Sequence, residues 1–318
     1  MTTVTEYSGQ STTSAPQGYA AQAEGIYAKY NLKVKVVTIS GATSAEVQAL
    51  AADKSGLAFA GGDIADEMLV AGKSTEAAPL VAVSADETLN PVALFFLKSS
   101  GITKPSDLIG KTIGVPAGST SEEYLNVFLQ KEGIPVNKVK IENISFAAQA
   151  AALMAGKVDA NAEFVRGGGS LAILGKEHGQ QIGSFAFGSY GIAAPLSATL
   201  VQKSLLTQHP DVAKDIALAD AAANEFCITN PAQCMKDYVA ANPGVNYTDA
   251  LAEWKTNIAQ GSTWNAATVA KETPAQFGYF DASLIAKTVP ELESLFDIKT
   301  KFDPTTLYTN QFMEAPGT

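Results

Sequence analysis

The sequence predicts an α/β protein made of two successive units and a helical tail, and three observations predict it. Strand-like and helix-like segments alternate from Val4 to Val201, the strands are short runs of β-branched or apolar residues, and Gly- or Pro-containing turns separate them. From Lys203 onward the chain reads as helices joined by Pro and Gly turns.

In order, Val4–Tyr7 reads as a strand and Gln17–Tyr30 as a helix, with Ala20, Ala23, Tyr27 and Tyr30 at helical spacing. Lys33–Ile39 is a strand by its β-branched alternation. Ala45–Ala52 is a helix, Leu57–Ala60 a short buried strand, and Asp63–Val70 a helix capped by the Asp63 carboxylate. Pro79–Val83 and Pro91–Leu97 are apolar strands. A second βα series then begins: a helical turn at Ser106–Ile109, a strand at Thr112–Val115, the loop from Pro116 to Ser121, and a helix at Glu122–Glu132. Lys138–Glu142 is a strand, Ala147–Ala155 a helix closed by Gly156, and Val158–Phe164 a strand. Ile182–Ala186 and Ala193–Val201 are the last strands. This rhythm predicts open, largely parallel sheets with helices on both faces and a ligand beyond the carboxyl ends of the strands.

Composition narrows the class. With 318 residues, 46% of them hydrophobic, the chain can bury a substantial core as two domains or lobes. Apolar runs such as Pro91–Leu97 and Ile192–Leu196 are far shorter than the ~20 residues that span a bilayer. A net charge of −10, spread without blocks, argues against nucleic acid and anionic lipid as partners, because both require a basic patch. Met1-Thr2-Thr3 runs directly into Val4-Thr5-Glu6-Tyr7, with no basic start and no apolar stretch of a secretion signal; for an exported protein, the expectation is that the leader is absent from this sequence.

Positive charge is distributed unusually. Arg166 is the one arginine among 22 basic residues, it follows the strand ending at Phe164, and Gly167-Gly168-Gly169 follows it. A planar, permanently charged fork beside a bendable backbone suits bidentate capture of a carboxylate, sulfonate or phosphate; the competing reading is an ordinary surface ion pair. Cys227 and Cys234 flank the turn signal Asn230-Pro231 between two helical patterns, which makes a disulfide across the hairpin geometrically reasonable and favoured over free thiols. Such a bridge implies an oxidising compartment. A metal site is disfavoured, because the cysteine spacing is not that of a zinc knuckle and His178 and His209 are distant.

The segment Ile102-Thr103-Lys104-Pro105-Ser106-Asp107-Leu108-Ile109-Gly110-Lys111-Thr112-Ile113-Gly114-Val115 carries a resemblance. It resembles a signature of type II periplasmic substrate-binding proteins of ABC importers, in the branch serving nitrate, sulfonates, taurine, thiamine-type pyrimidines and aromatic carboxylates. Ala23-Glu24-Gly25-Ile26-Tyr27, the Gly41 loop, Ala155-Gly156-Lys157-Val158-Asp159-Ala160 and the Cys227–Cys234 stretch are similar to the same branch. The resemblance implies a two-lobed fold, each lobe a mainly parallel sheet flanked by helices, with crossover strands near Asn90–Leu97 and Ala193–Val201. Lobe one would hold 1–90 and 195–318, and lobe two 91–194. It further implies a monomer, periplasmic or extracellular and membrane-associated, that closes over a solute and delivers it to a membrane permease, with no catalysis and no cofactor.

The resemblance places ligand contacts at five loops. Gln10, Ser11 and Thr12 leave the first strand, Thr43 precedes the second helix, and Asp63 opens the third. Ser119, Thr120 and Ser121 offer hydroxyls at a helix N-terminus whose dipole favours anions, with simple helix capping as the competing role. Phe164 would stack on a planar ligand, Arg166 would grip its acid group, and Glu163 would orient the arginine or accept a ligand N–H. Tyr190 is a further candidate, against core packing. The cleft-lining strand end lacks the tryptophan of sulfonate and nitrate members.

Enzyme readings find little support. Gly110-Lys111-Thr112 has the look of a phosphate-binding loop, but Pro105 stands where that motif needs glycine, and there is no nucleophile elbow, histidine pair or dinucleotide fingerprint. A small organic anion, a carboxylate or sulfonate of aliphatic or aromatic type, is the expected solute. The alternatives are a neutral thiamine-type pyrimidine held by Glu163, Asp63 or Asp86, and a fold-related pyrimidine synthase, whose cysteine-rich motif and substrate histidine are missing here.

Overall fold

The structure, a computed structural model, describes residues 1–9, 16–39, 45–73, 79–87, 89–117, 119–194, 196–261 and 271–315. Its strands are β1 (Thr2–Gly9), β2 (Leu32–Ile39), β3 (Ala58–Asp63), β4 (Leu80–Ala85), β5 (Val92–Leu97), β6 (Thr112–Val115), β7 (Lys140–Asn143), β8 (Ala160–Phe164), β9 (Ile182–Ala186) and β10 (Ser197–Gln202). Two compact units form. Unit 1 comprises Met1–Thr88, Pro195–Tyr247 and Thr263–Thr318; unit 2 comprises Leu89–Ala194 and Thr248–Ser262. The expectation from sequence assigned all of 195–318 to the first lobe, whereas Thr248–Ser262 groups with unit 2.

Each unit is built on one five-stranded sheet, with the orders β2-β1-β3-β10-β4 and β7-β6-β8-β5-β9. The pattern is the same in both: second, first, third, an inserted strand, fourth. Each sheet is mainly parallel, with four strands running one way and the inserted strand running against them. β1 runs parallel to β2 and β3, and β6 parallel to β7 and β8, but β10 is antiparallel to β3 and β4, and β5 to β8 and β9. The antiparallel members are the strands by which the chain enters unit 2 and re-enters unit 1. Local pattern carries no information on strand direction, so alternation alone did not mark the two inserted strands as antiparallel.

In unit 1 the helices are α1 (Pro16–Ala23), α2 (Ile26–Lys29), α3 (Ala45–Ala52) and α4 (Ile64–Lys73). The single helix expected over Gln17–Tyr30 is two, because Gly25 adopts φ 66°, a left-handed backbone that glycine reaches without cost. Unit 2 holds α5 (Thr120–Lys131), α6 (Phe146–Met154) and α7 (Gly168–Glu177). In the tail, α8 (Lys203–Gln208), α9 (Pro210–Thr229) and α10 (Pro231–Ala241) are followed by α11 (Tyr247–Thr256), α12 (Pro274–Phe277) and α13 (Ala282–Leu295). Pro at the first position of α9, α10 and α12 costs no hydrogen bond, since that amide would be unpaired in any case.

The core of unit 1 is the sheet face of Val4, Phe59, Val81, Val83 and Val201 against Ala213, Ile216, Ala217 and Ala223 of α9. Small residues on α9 let it approach the sheet closely. In unit 2, Ala93, Phe95, Val158 and Val165 pack with Ala152, Leu153 and Leu171 of α6 and α7. Cys227 and Cys234, both fully buried, form the disulfide that joins α9 to α10, with Cα atoms 5.1 Å apart. Among the described residues, no helix is long and apolar enough to cross a membrane.

Candidate functional site

In unit 2, β6 and β8 are neighbours and parallel, with Ile113 opposite Ala160 and Gly114 opposite Asn161. Whatever follows these two strands therefore emerges at one end of the sheet. β6 leads through residues 116–119 into α5, and β8 leads into the short 3-10 turn Val165–Gly167. The register thus places Ser119, Thr120 and Ser121 at the same end as Glu163, Phe164 and Arg166. The N-cap of α5 is Ser119, whose Oγ accepts from the Glu122 amide at 3.3 Å. Thr120 is buried, and Ser121 is fully buried with an Oγ that finds no hydrogen-bond partner. A helix start with buried hydroxyls favours an anion through its dipole and its first amides.

The arginine is oriented by an aromatic platform. Its guanidinium carbon lies 4.5 Å from the centre of the Phe164 ring, and Phe164 in turn packs on Phe146, centres 5.8 Å apart. Phe164 thus supports the fork by cation–π attraction, where the sequence reading had its ring stacking on a planar ligand. Glu163 is half-buried as a residue, but its Oε1 is shut off from solvent and has no hydrogen-bond partner. Burial first, then the Glu253 carboxylate, push the Glu163 acid up to about 8, against the pull of Arg166. At neutral pH this carboxyl is therefore mainly a neutral acid.

The glycine run has a reason other than flexibility. Gly167 and Gly168 have ordinary negative φ values, −60° and −59°. A Cβ on Gly167 would strike Glu163 Oε1, one on Gly168 would come within 2.6 Å of the Phe95 ring, and one on Gly169 would collide with the backbone of Ala252 in α11. The run lets the start of α7 lie against β5, β8 and α11. This contact also explains why Thr248–Ser262 belongs to unit 2.

In unit 1, Asp63 ends β3 and its Oδ1 accepts from the Asp66 amide at 2.7 Å, the cap expected for α4. Gln10, Ser11, Thr12 and Thr43 lie outside the described residues. Tyr190 is not with the other unit 2 candidates. It packs edge-on against Phe128 and Phe185, and its hydroxyl is pushed up by burial and then by Glu132, which follows the C-terminal end of α5. Thus α5 carries Ser119–Ser121 at one end and the Tyr190 contact at the other.

A carboxyl cluster in unit 1 escaped the sequence reading apart from Asp86. Asn224 Nδ2 donates to Asp86 Oδ1 at 2.7 Å and to Asp220 Oδ2 at 3.2 Å, and Gln17 Nε2 donates to Asn224 Oδ1 at 2.7 Å. Glu6 is buried nearby, accepts from Tyr27 Oη at 3.2 Å, and is pushed up to about 7 by burial and then by Asp220. One signal was available: Val4, Glu6 and Ser8 share a face of β1, so a carboxylate stood at a core-facing position. Among the described residues, no group of His, Cys, Asp and Glu is arranged to hold a metal ion.

Known proteins with related sequences or folds fit this architecture. The Taurine-binding periplasmic protein of Escherichia coli (strain K12) is 29% identical over 221 residues, which is 69% of this chain and 65% of that protein. The match therefore spans slightly under two thirds of the relative's length. Among solved structures, the putative sulfonate ABC transporter periplasmic sulfonate-binding protein SsuA from Methylobacillus flagellatus KT aligns with TM-score 0.69 at 18% identity, covering 98% of this chain and 92% of its own. The desulfurization enzyme DSZB aligns with TM-score 0.63 at 16% identity, covering 98% and 97%, so the same fold also hosts an enzyme. The family model described as NMT1/THI5 like matches residues 13–234, well over half of the sequence. On that match the chain belongs to the NMT1/THI5-like family.

Proposed function

We propose that the protein is the solute-binding component of an ABC importer and that it captures a small organic anion, a sulfonate or carboxylate, without changing it chemically. The observation that carries this reading is the convergence, at one end of adjacent parallel strands in unit 2, of the lone arginine with the N-terminus of α5. An arginine fork and a helix start are complementary to the oxygens of an acid group, and a neutral Glu163 does not oppose that charge. The relation to a taurine-binding periplasmic protein supports the sulfonate class and an extracytoplasmic location with a membrane permease as partner. The buried disulfide agrees with an oxidising compartment. In this role the protein acts as a monomer.

Thermal-shift and calorimetric titration with taurine, short alkanesulfonates, aromatic carboxylates and a thiamine-type pyrimidine test the assignment. Saturable stabilisation by an acid, with the solute recovered unaltered by mass spectrometry, is the expected result. Binding of the pyrimidine alone would reject the anionic class, and turnover of any compound would reject the transport role.

A further inference from the structure

We propose that Gln149 is a positioning residue of the unit 2 site: it locks α6 to the ends of β6 and β8 and thereby sets the place of the Arg166 fork. This role rests on the anion-capture reading above and adds to it a residue that is itself fully buried.

The helix α6 reads Phe146-Ala147-Ala148-Gln149-Ala150-Ala151-Ala152-Leu153-Met154, and Gln149 is its one polar residue. An alanine-rich face has little relief, so such a helix can slide or roll on a sheet with small change in packing. A polar side chain that must be paired removes that freedom, as a single buried amide fixes register between packed helices. Gln149 Nε2 donates to the Gly114 carbonyl of β6 at 3.2 Å and to the Ala162 carbonyl of β8 at 3.0 Å. Asn161 of β8, also fully buried, returns the tie: its Nδ2 donates to the main-chain carbonyl of Gln149 at 2.8 Å. A Cβ on Gly114 would come within 2.7 Å of Asn161 Oδ1, so glycine at this position is what leaves room for the amide. Gln149 Oε1 and Asn161 Oδ1 are buried and have no hydrogen-bond partner among the described residues. The two amides therefore cost stability that an apolar core would not, and what they supply is position.

These bonds fall where the sheet gives least support. The ladder between β6 and β8 has two paired positions, Ile113 with Ala160 and Gly114 with Asn161, and the chain beyond them leads into both site loops. Gln149 spans the two strands at the end of that ladder with one amide group. Three residues before it, Phe146 begins α6 and stays 44% exposed. Its ring packs on Phe164, centres 5.8 Å apart, and Phe164 carries the Arg166 guanidinium at 4.5 Å. A chain of contacts thus runs from Gln149 through α6 and two aromatic rings to the fork. A roll of α6 at Gln149 displaces Phe146, and with it the support of the arginine.

The single arginine of the sequence provides the readout. In a nitrogen–proton correlation spectrum of the full-length protein without solute, the Arg166 Nε–H gives one arginine side-chain signal, shielded by the Phe164 ring. Gln149→Met, similar in length and without the bonds, should move that signal to lower field, toward its position in Phe164→Leu. Asn161→Ala should move it in the same direction and serves where Gln149→Met does not fold. Phe146→Ala, which leaves both buried amides in place, should move it too. Ile134→Ala, a core truncation beyond the C-terminal end of α5, should lower the melting temperature and leave the signal where it is. A signal unmoved in Gln149→Met and Asn161→Ala, or unmoved in Phe146→Ala, would overturn the positioning role; so would an equal shift in Ile134→Ala, since loss of stability alone would then move the fork. Gln149→Met should also raise the Kd for a short alkanesulfonate by about tenfold, the scale on which loss of a supporting partner weakens a bound group, and an unchanged Kd would count against the role. A wild type that binds no acid would reject the anion-capture reading, while the spectrum, recorded without solute, still decides whether Gln149 places the arginine.

Discussion

The guanidinium of Arg166 rests 4.5 Å above the ring of Phe164, two residues before it in the chain. The one arginine of the sequence is thus supplied with a flat support by its own loop, which fixes one face of the fork. Arg166→Ala should abolish thermal stabilisation by the bound acid while leaving the unliganded melting temperature nearly unchanged, a loss of about 2–5 kcal/mol if the pair is desolvated. Phe164→Leu should cost less, about 0.5–2 kcal/mol, because it removes the support and keeps the charge. Titration calorimetry of both variants checks the order; equal losses would show that Phe164 does more than orient the arginine.

Gly169 of α7 has no room for a side chain, since a Cβ there would meet the backbone of Ala252 in α11. Backbone cannot rotate away as a side chain can. Gly169→Ala is therefore expected to destabilise unit 2 by about 1–3 kcal/mol, the usual cost of overpacking, in spite of alanine's better helix propensity. Gly72→Ala on α4, where the nearest atom to a new Cβ is 3.9 Å away, is the control and should be neutral or slightly stabilising. Chemical denaturation of the pair decides it.

Much of this was legible in the chain, and the boundary is a physical one. The helix Ala45–Ala52 and the strand Thr112–Val115 appear with the bounds read from sequence, and Asp63 caps α4 as expected, because periodicity and capping are local properties. Strand direction is not local, and so β5 and β10 were not recognised as antiparallel insertions. The Gly167–Gly169 run read as freedom to bend, yet its three glycines answer to the close approach of Glu163, Phe95 and Ala252 in turn, the last more than eighty residues later. Asp86 and Asp220 are likewise 134 positions apart by their numbers, and nothing near either one announces the other. Ser119 and Arg166 were read as site residues from their loops; their common location follows only from the pairing of β6 with β8.

The Cys227–Cys234 bridge closes a short hairpin, seven positions apart, between α9 and α10. Loop-closure entropy for so short a loop gives about 2–3 kcal/mol of stabilisation. The double variant Cys227→Ala, Cys234→Ala should lower the unfolding free energy by that amount and make the protein insensitive to reductant. Both sulfurs are buried, so the folded wild type should resist mild reductant and lose the bridge only as it unfolds. Free thiol titration with and without denaturant distinguishes these cases.

Glu6 presses its carboxyl against the first turn of α1, where a Cβ on Gly18 would come within 2.9 Å of its Oε1, and burial with Asp220 pushes it up to about 7 from an ordinary 4.5. The folded state therefore holds a proton that the unfolded chain releases. Stability from this group is complete below pH ~4.5, declines between there and pH 7, and levels off above, with a total loss of roughly 3 kcal/mol at about 1.4 kcal/mol per pKa unit. Glu163, pushed up to about 8, carries the decline further in unit 2. The melting temperature should accordingly be higher at pH 5.5 than at pH 8.5. Glu6→Gln keeps an acceptor for Tyr27 and adds a donor toward Asp220, so it should flatten the pH 5–7 part of the profile and raise stability at pH 8 relative to the wild type. A wild-type melting temperature that climbs from pH 5.5 to 8.5 would contradict the assignment of a neutral acid at this position.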